Sequence, residues 1–290
     1  MPPAAGQARP RRSLLYVPGA NARALEKAAR LEADGLILDL EDSVAPAAKD
    51  TARRQIGEAL TRHDYGEREI IIRVNDPASE WFAADVEMAR AARPHALLLP
   101  KVNGPGDIAR LAAELEGAGI AIWAMMETPL AMLAARDIAA AAREHPLVAL
   151  VMGSNDLGKE TGASLDGGRA FFIPWLMTVI AAARAFGLAA IDGVFNDFHD
   201  AEGLRAECRQ GRKMGFDGKT LIHPSQIAAA NEAFSPTREE IARARAIVAA
   251  FDRPENADAG VIAMEGEMVE RLHLEKARQL LEVARILNLA

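Results

Sequence analysis

Cysteine is almost absent from the sequence. The single Cys208 excludes an intrachain disulfide, so a reducing cytoplasm is the expected location. No apolar run approaches the roughly 20 residues that span a membrane, and the first twelve residues lack the apolar segment of a secretory signal. Basic residues are outnumbered by acidic ones, 34 to 41, for a net charge of −7. We therefore expect neither membrane insertion nor general nucleic-acid binding, which needs a basic surface.

Eight short apolar runs, most ending in a polar or charged residue, alternate with alanine-rich stretches of helical spacing. Strand followed by helix, eight times over, predicts an α/β fold of the (β/α)8 TIM-barrel type. The runs are Ser13–Pro18, Gly35–Glu41, Glu69–Asn75, Ala96–Val102, Ala121–Thr128, Leu147–Gly153, Ala190–Phe195 and Gly218–Pro224. In such a barrel the chemistry lies at the C-terminal ends of the strands.

The length also predicts how the chain is divided. A barrel takes roughly 250 residues, whereas the chain has 290. We predict a disordered N-terminal tail over 1–12, the barrel over 13–234 and a C-terminal helical extension over 235–290. Because the barrel closes without this extension, we expect it to pack on a neighbouring subunit or to cover the mouth of the active site.

Glu127 and Asp156 are the leading candidates for a metal site. Each follows an apolar run, and consecutive barrel strands bring such side chains together at one rim. Two carboxylates without a nearby cysteine or histidine favour Mg²⁺, which takes one or two protein carboxylates and leaves positions for water and substrate. The alternative is that both acids only cap helices or face solvent.

Arg73 lies inside an otherwise apolar strand, and a buried arginine needs a partner. It is expected to bind a substrate carboxylate or a developing enolate, to pair with Glu41 or Asp42 on the adjacent strand, or to do both. Lys101 follows the fourth strand and is expected to pair with the acids, with Schiff-base chemistry as the alternative. Glu41, Asp42 and Lys101 would then support the site through Arg73 or metal-bound water.

A cationic stripe is predicted beside the first strand. Arg23, Lys27 and Arg30 recur at helical spacing, so the stripe would either hold an anionic ligand tail or form a solvated face. His223 ends the eighth strand. The histidines show no metal-ligand spacing, so a substrate contact is the expected role of His223.

Seven segments resemble the family of citrate lyase beta subunits and malyl-CoA/citramalyl-CoA lyases, within the HpcH/HpaI aldolase superfamily. They run in register from about Arg12 to Thr237 and read LLYVPGANARALEKA, LDLEDSVAPAAK, IIIRVN, LLLPKV, METPLAM, VMGSNDLGKETG and GKTLIHPSQIAAANEAFSPT. The resemblance implies a barrel, assembled as a homotrimer or hexamer, that binds Mg²⁺ and an acyl-CoA. It leaves open a partnership with other citrate lyase subunits.

The resemblance also implies roles for individual residues. Glu127 and Asp156 match the family's metal ligands, and Arg73 matches its substrate-carboxylate arginine. The positions that match contacts to the thioester or CoA are Tyr16, Arg23, Lys27, Ile222 and His223. The tail departs from the family pattern Gly-x-Met-Ile/Val-Asp-x-Pro, since Glu270 replaces the aspartate and Leu272 the proline. Glu270 is therefore expected to be the catalytic tail acid, with an altered reach.

These observations lead to the hypothesis of a Mg²⁺-dependent lyase. It would cleave a malyl-, citramalyl- or citryl-CoA to acetyl-CoA and a 2-oxo acid, with Arg73 offsetting the enolate charge and Glu270 transferring a proton. One alternative is a metal-dependent aldolase for free hydroxy-oxo acids. Another is a CoA-binding or complex subunit with little activity of its own.

Overall fold

Eight short parallel strands close into a barrel in chain order, each hydrogen-bonded to the next, with β8 pairing back to β1. The computed structural model describes residues 9–256, 259–264 and 266–289. The strands are β1 Ser13–Pro18, β2 Gly35–Asp39, β3 Glu69–Arg73, β4 Ala96–Leu99, β5 Ala121–Met126, β6 Leu147–Met152, β7 Ala189–Asp192 and β8 Gly218–Leu221. The TIM barrel predicted from the sequence is confirmed.

The alternation of side chains along each strand decides which residues reach the barrel interior. Ile37, Ile71 and Met125 belong to the inner core cluster, whereas their neighbours Leu36, Ile72 and Ala124 pack outward against the helices. Because side chains two residues apart point the same way, the inner face continues upward to the polar residues at the strand ends. This places the side chains of Asp39, Arg73 and Glu127 around the C-terminal mouth of the barrel.

Helices form the outer layer around the strands. They are α1 Ala22–Ala28, α2 Lys49–Arg62, α3 Phe82–Ala92, α4 Pro105–Glu114, α5 Pro129–Leu133, α6 Ala135–Ala140, α7 Ser154–Thr161, α8 Asp166–Arg169, α9 Ile173–Ala185, α10 Ala201–Met214 and α11 Ile227–Phe234. No single helix in the described ranges is long and apolar enough to cross a membrane, although the bent pair Ser154–Thr161 and Asp166–Ala185 passes that test by length and composition.

The sequence Ser154–Gly168, rich in Gly, Ser and Asp, predicts a loop-like insertion after β6, and the structure differs from this expectation. The first half of this segment is the helix α7, which ends at Gly162 in the left-handed conformation (φ 74°). Glycine adopts this conformation without the steric cost that a Cβ imposes, and therefore commonly follows the end of a helix. The polar composition of the segment conceals this helix of 8 residues, about two turns, which carries Asp156 in its first turn.

The last residues of the predicted tail are fixed in place. Arg11 donates two hydrogen bonds to the carboxylate of Glu69 at 2.7 and 2.8 Å. Arg12 makes an ion pair of 2.7 Å with Asp34. The expected disorder does not extend to these two residues, because both arginines have buried carboxylate partners; residues 1–8 lie outside the described residues.

From Ser235 onward the chain forms a separate compact unit. It contains α12 Arg238–Phe251, a hairpin of β9 Val261–Met264 and β10 Glu267–Glu270, and α13 Arg271–Ile286. The unit has its own small core, in which Ile247, Phe251 and Leu274 pack with the hairpin residues Ile262 and Val269. The helical extension expected from the sequence therefore also contains a two-stranded sheet.

Candidate active site

A cavity of about 320 Å³ opens at the C-terminal ends of the barrel strands. Of the residues singled out in the sequence, those that line it are Tyr16, Asp42, Arg73, Glu127, Asp156 and Ile222. They come from the ends of six different strands or from the loops and helices that follow them. Convergence of polar residues from distant parts of the chain on one cavity is typical of TIM-barrel active sites.

Glu127 lies at the floor of this cavity and is fully buried. Its Oε1 accepts a hydrogen bond of 2.7 Å from the backbone N–H of Lys101, while the buried Oε2 has no hydrogen-bond partner among the residues that the structure describes. Burial raises the pKa of Glu127 to about 7, against the opposing charge of Lys101. The cap of α5 is Thr128, whose side chain accepts from the N–H of Ala131. Helix capping therefore does not account for Glu127.

Gly153 makes room for the Glu127 carboxylate. A Cβ at position 153 would lie 2.4 Å from Glu127 Cβ and 2.6 Å from Glu127 Oε2. Gly153 has φ −109°, which any residue can adopt, so space rather than backbone conformation requires glycine. Residue patterns in the sequence do not mark Gly153 as part of the site. Its only signal was a glycine placed directly after the sixth strand.

Asp156 and Lys101 form the outer part of the same acid group. Lys101 Nζ lies 2.9 Å from Asp156 Oδ2 and 3.7 Å from Glu127 Oε1. Lys101 has φ 53°, in a region that non-glycine residues seldom adopt. Lys101 was expected to pair with the acids, and the structure pairs it with Glu127 and Asp156 rather than with the acids after β2.

The two carboxylates fit a magnesium ion. Glu127 Oε2 is a buried carboxylate oxygen without a partner, which is costly unless a cation or donor compensates it. No cluster of three or more His, Cys, Asp or Glu side chains suited to a metal occurs in the described residues. A metal held by Glu127 and Asp156 would therefore take its other ligands from water and substrate, as Mg²⁺ commonly does.

Arg73 is the centre of a second charged group that lines the cavity. Its Nε donates to Asp39 Oδ1 and its Nη2 donates to Asp39 Oδ2, each at 2.7 Å, so the two side chains form a bidentate pair. Its Nη1 lies 2.8 Å from Glu41 Oε2 and 3.4 Å from Asp42 Oδ2. The predicted pairing with Glu41 and Asp42 is present, and the strongest partner is Asp39. Asp39 occupies the Nε side of the guanidinium, and Glu41 and Asp42 lie beside Nη1, so a ligand carboxylate would reach the Nη1 and Nη2 edge by displacing one of these two acids.

Burial and charge oppose each other within this group. Burial would raise the pKa of Asp39, but the charge and hydrogen bonds of Arg73 hold it below its usual value. For Glu41, burial dominates over the attraction of Arg73 and raises the pKa to about 8. Tyr16 lies with its ring 4.7 Å from the Arg73 guanidinium, a cation–π distance, and burial raises the pKa of its hydroxyl. The cavity thus has more acidic than basic side chains around it, and its arginine is fixed by ion pairs.

The remaining predicted contacts lie further out. His223 stacks on the ring of Phe198, with the ring centroids 4.9 Å apart, and is exposed, as is the neighbouring Ile222. Arg23 and Lys27 are exposed, and within the described residues their side chains make no ion pair. Both basic side chains are therefore free to bind a ligand, but the same geometry also fits a solvated face. Their roles stay predictions.

Glu270 belongs to the C-terminal unit, where it ends β10 and is the residue before α13. It is exposed, and its backbone N–H donates to Nδ1 of His273 at 2.9 Å. Its proposed catalytic role stays a prediction.

Comparison with known proteins agrees with this geometry. Residues 12–224 match the family described as HpcH/HpaI aldolase/citrate lyase, and the chain belongs to this family. The family predicted from the sequence motifs is thereby confirmed. A (3S)-malyl-CoA thioesterase of Cereibacter sphaeroides (strain KD131 / KCTC 12085) is 49% identical over 281 residues, which cover 97% of this chain and 96% of the relative. Citrate lyase subunit beta of Escherichia coli (strain K12) is 34% identical, with 96% and 94% covered.

One solved structure is similar to this chain over nearly its whole length. CitE from Mycobacterium tuberculosis in complex with magnesium, acetoacetate and coenzyme A superposes with a TM-score of 0.77 at 33% sequence identity. The match covers 94% of this chain and 97% of that protein.

Proposed function

We propose that this protein is a Mg²⁺-dependent enzyme for the CoA thioester of a small hydroxy-dicarboxylic acid of the malyl type. The observation that carries the proposal is the convergence of Glu127, Asp156 and Arg73 on one cavity. The complex of the Mycobacterium tuberculosis relative with magnesium and coenzyme A supports it. When bound, Mg²⁺ would supply Lewis-acid polarisation of a substrate carbonyl.

The chain's own residues would hold the acyl portion. The Nη edge of Arg73 is available to a substrate carboxylate, which would displace the exposed Asp42 from its 3.4 Å contact. Asp39 would keep the guanidinium plane fixed through its bidentate pair. Arg23 and Lys27 are proposed to bind the phosphates of the CoA tail near the start of α1, and Ile222 to contact its thioester arm.

We propose hydrolysis of the thioester as the reaction. Water would add to the thioester carbonyl carbon, the carbon–sulfur bond would break, and CoA would leave as the thiol with a proton from water. Two observations support this choice. Full-length relatives named (3S)-malyl-CoA thioesterase are 49% identical to this chain. Hydrolysis also requires no acid to protonate an enolate carbon, so a tail with Glu270 and Leu272 instead of aspartate and proline would not impair it.

The second candidate is the carbon–carbon lyase reaction. The relative named citrate lyase subunit beta favours it, at 34% identity over nearly the whole chain. A base would take the hydroxyl proton, the carbon–carbon bond would break to release a 2-oxo acid, and Arg73 would offset the charge of the acetyl-CoA enolate. Glu270 would then return a proton to the enolate carbon.

One experiment separates the candidates. Purified protein is incubated with malyl-, citramalyl- or citryl-CoA, with Mg²⁺ or with chelator, and the products are separated chromatographically. Free CoA with the hydroxy acid indicates hydrolysis, whereas acetyl-CoA with a 2-oxo acid indicates the lyase. Free thiol can also be followed with a thiol-reactive dye, because the protein's own Cys208 is buried. Absence of both product pairs would refute the proposed function, and turnover of a free hydroxy-oxo acid instead would favour the CoA-independent aldolase.

We further propose that the protein is cytoplasmic, as its single cysteine suggests, and that it is a homotrimer or hexamer, as the sequence resemblance implies. Sedimentation velocity of the purified protein measures the assembly state.

A further inference from the structure

Lys49 is a buried lysine whose contacts are unusual for a charged side chain. It begins α2 and is only 5% exposed. Its Nζ donates to the backbone carbonyls of Leu40 at 2.7 Å and Glu41 at 2.8 Å, and to Asn75 Oδ1 at 2.6 Å. An ammonium group has three donors, so all of them are used. None of its partners in the described residues is a carboxylate.

These three acceptors belong to the two segments that carry the arginine group of the active site. Leu40 and Glu41 directly follow β2, and Asn75 lies two residues after Arg73 at the end of β3. Arg73 connects the same segments from the cavity, through Asp39 and Glu41. Lys49 connects them from the helix layer, so the short segment after β2 is held by a cation from either side.

The third acceptor is itself fixed. Asp85 Oδ2 accepts hydrogen bonds from both the backbone N–H and the side-chain amide of Asn75, at 2.8 and 2.6 Å. Asp85 is fully buried, and its Oδ1 accepts from Arg53 at 2.8 Å. A buried chain of hydrogen bonds therefore runs from Arg53 through Asp85 and Asn75 to Lys49, and it ends at the backbone of Leu40 and Glu41.

A positive charge at this place costs free energy, because removing an ammonium from water is unfavourable. In return its three donors join all three acceptors, whereas a neutral amide group has only two donors. Burial lowers the pKa of Lys49 and outweighs the attraction of the nearby acids Asp39, Asp85, Glu41 and Asp42. The ring of Trp81, 5.2 Å from Nζ, lies over the ammonium.

We infer that Lys49 is a positioning residue for the proposed reaction: it fixes the segment after β2 so that Asp39 and Glu41 together hold Arg73 toward the cavity. This inference rests on the proposed function for its kinetic consequence, but its structural consequence does not depend on the substrate. Lys49 does not line the cavity and would act only through Arg73.

Replacing Lys49 by methionine tests the inference, because the side chain keeps its length and loses all three donors. The expected result is a displacement of the Arg73 guanidinium by about 1 Å in a crystal structure and a loss of about 100-fold in kcat/KM, the typical cost of such a misplacement. Mg²⁺ affinity, which Glu127 after β5 and Asp156 in α7 are proposed to set, should change less than about threefold. In an Arg73→Lys background, Lys49→Met should lower kcat/KM by less than about threefold, because its route of action is already removed.

A matched control separates positioning from general destabilisation. Lys219 is also fully buried, and its ammonium donates to Asp192, Glu207 and the carbonyl of Gly193, remote from β2 and β3. Lys219→Met should lower the thermal midpoint at least as much, yet leave Arg73 in place and kcat/KM within about threefold of the parent protein.

Several outcomes would overturn the inference. An undisplaced Arg73 in the Lys49→Met crystal structure would do so, as would equal kinetic losses in the Lys49 and Lys219 variants. If the parent protein turns over none of the CoA esters, the proposed function fails, while the crystal structure still decides the role of Lys49. Should Lys49→Met not fold, Asn75→Ser removes one acceptor only, and the same displacement in the same direction is expected.

Discussion

Replacing Gly153 by alanine would place a methyl group in the space that the Glu127 side chain occupies. The added Cβ would lie 2.4 Å from Glu127 Cβ and 2.6 Å from its Oε2. Non-bonded carbon atoms rest about 3.5 to 4.0 Å apart, so the two residues must separate by about 1 Å. Glu127 Cβ is next to the backbone and cannot swing away as a flexible side-chain end would. The carboxylate is therefore expected to move with it.

The size of the effect follows from this displacement. A misplacement of about 1 Å in a catalytic arrangement costs about 100-fold in rate, which is about 2.7 kcal/mol of transition-state stabilisation. Crowding of a packed interior would also lower the free energy of unfolding by about 1 to 3 kcal/mol. We expect Gly153→Ala to fold, to bind Mg²⁺ more weakly and to lose about 100-fold in kcat/KM.

The measurements are Mg²⁺ titration by calorimetry, steady-state kinetics and thermal unfolding. Gly57→Ala is the matched control. Gly57 lies inside α2 with no atom within 4 Å of an added Cβ, so alanine should raise stability by about 0.5 to 1 kcal/mol and leave activity unchanged. Parent-like Mg²⁺ affinity and turnover in Gly153→Ala would refute the assignment of Glu127 as the ligand whose place Gly153 secures.

Four further predictions concern other parts of the site. Arg73→Lys should lose most activity, since lysine cannot reproduce the bidentate pair with its neighbours; near-normal kinetics would make Arg73 a purely structural residue. Mg²⁺ affinity should rise as the pH increases through 7, because the metal needs the carboxylate form and burial raises the pKa of Glu127 to about 7; calorimetry at two pH values checks the sign, and a fall with pH would contradict it. Charge reversal of Arg23 and Lys27 to glutamate should raise KM for a CoA ester more than it weakens Mg²⁺ binding. The rise in KM should be smaller at high salt, which screens exposed charges. An unchanged KM would show that the stripe is only a solvated face. Glu270→Gln should abolish the lyase reaction and spare thioester hydrolysis, so equal loss of both activities would show that the tail acid serves neither reaction selectively.

The barrel was predictable because its strands are buried on both faces. Apolar runs such as Leu36–Leu38 and Ile70–Ile72 have no solvated side, so their signal does not depend on tertiary contacts. The positions of Glu127, Asp156 and Arg73 followed from the rule that strand ends converge at one rim. The helix α7 was missed because its polar sequence carries little apolar periodicity, and its position is set by the end of β6 and by Gly162.

The partners of the site residues were less accessible to sequence reasoning. That Asp39, rather than Glu41 or Asp42, forms the bidentate pair with Arg73 depends on the register of β2 and β3, which places Asp39 directly opposite Arg73. Gly153 matters because it lies close to Glu127, which is 26 positions away in the sequence. Lys49 matters because it contacts Glu41 and Asn75, which are 8 and 26 positions away. No periodicity or local motif reports such contacts, because they arise only when strands and helices pack.

The fold by itself does not require the charged side chains around the cavity. Arg73 and Lys101 face five acids, namely Asp39, Glu41, Asp42, Glu127 and Asp156. Asp39 keeps a low pKa because Arg73 compensates it, whereas Glu41 and Glu127 have pKa values raised to about 8 and about 7 by burial. A barrel selected only for stability would place apolar or neutral side chains at these positions. The surplus acid becomes favourable once a divalent cation lies between Glu127 and Asp156, and the cation in turn makes the cavity receptive to an anionic acyl group beside Arg73. Metal and substrate carboxylate are thus expected to bind with positive coupling, each lowering the electrostatic cost of the other.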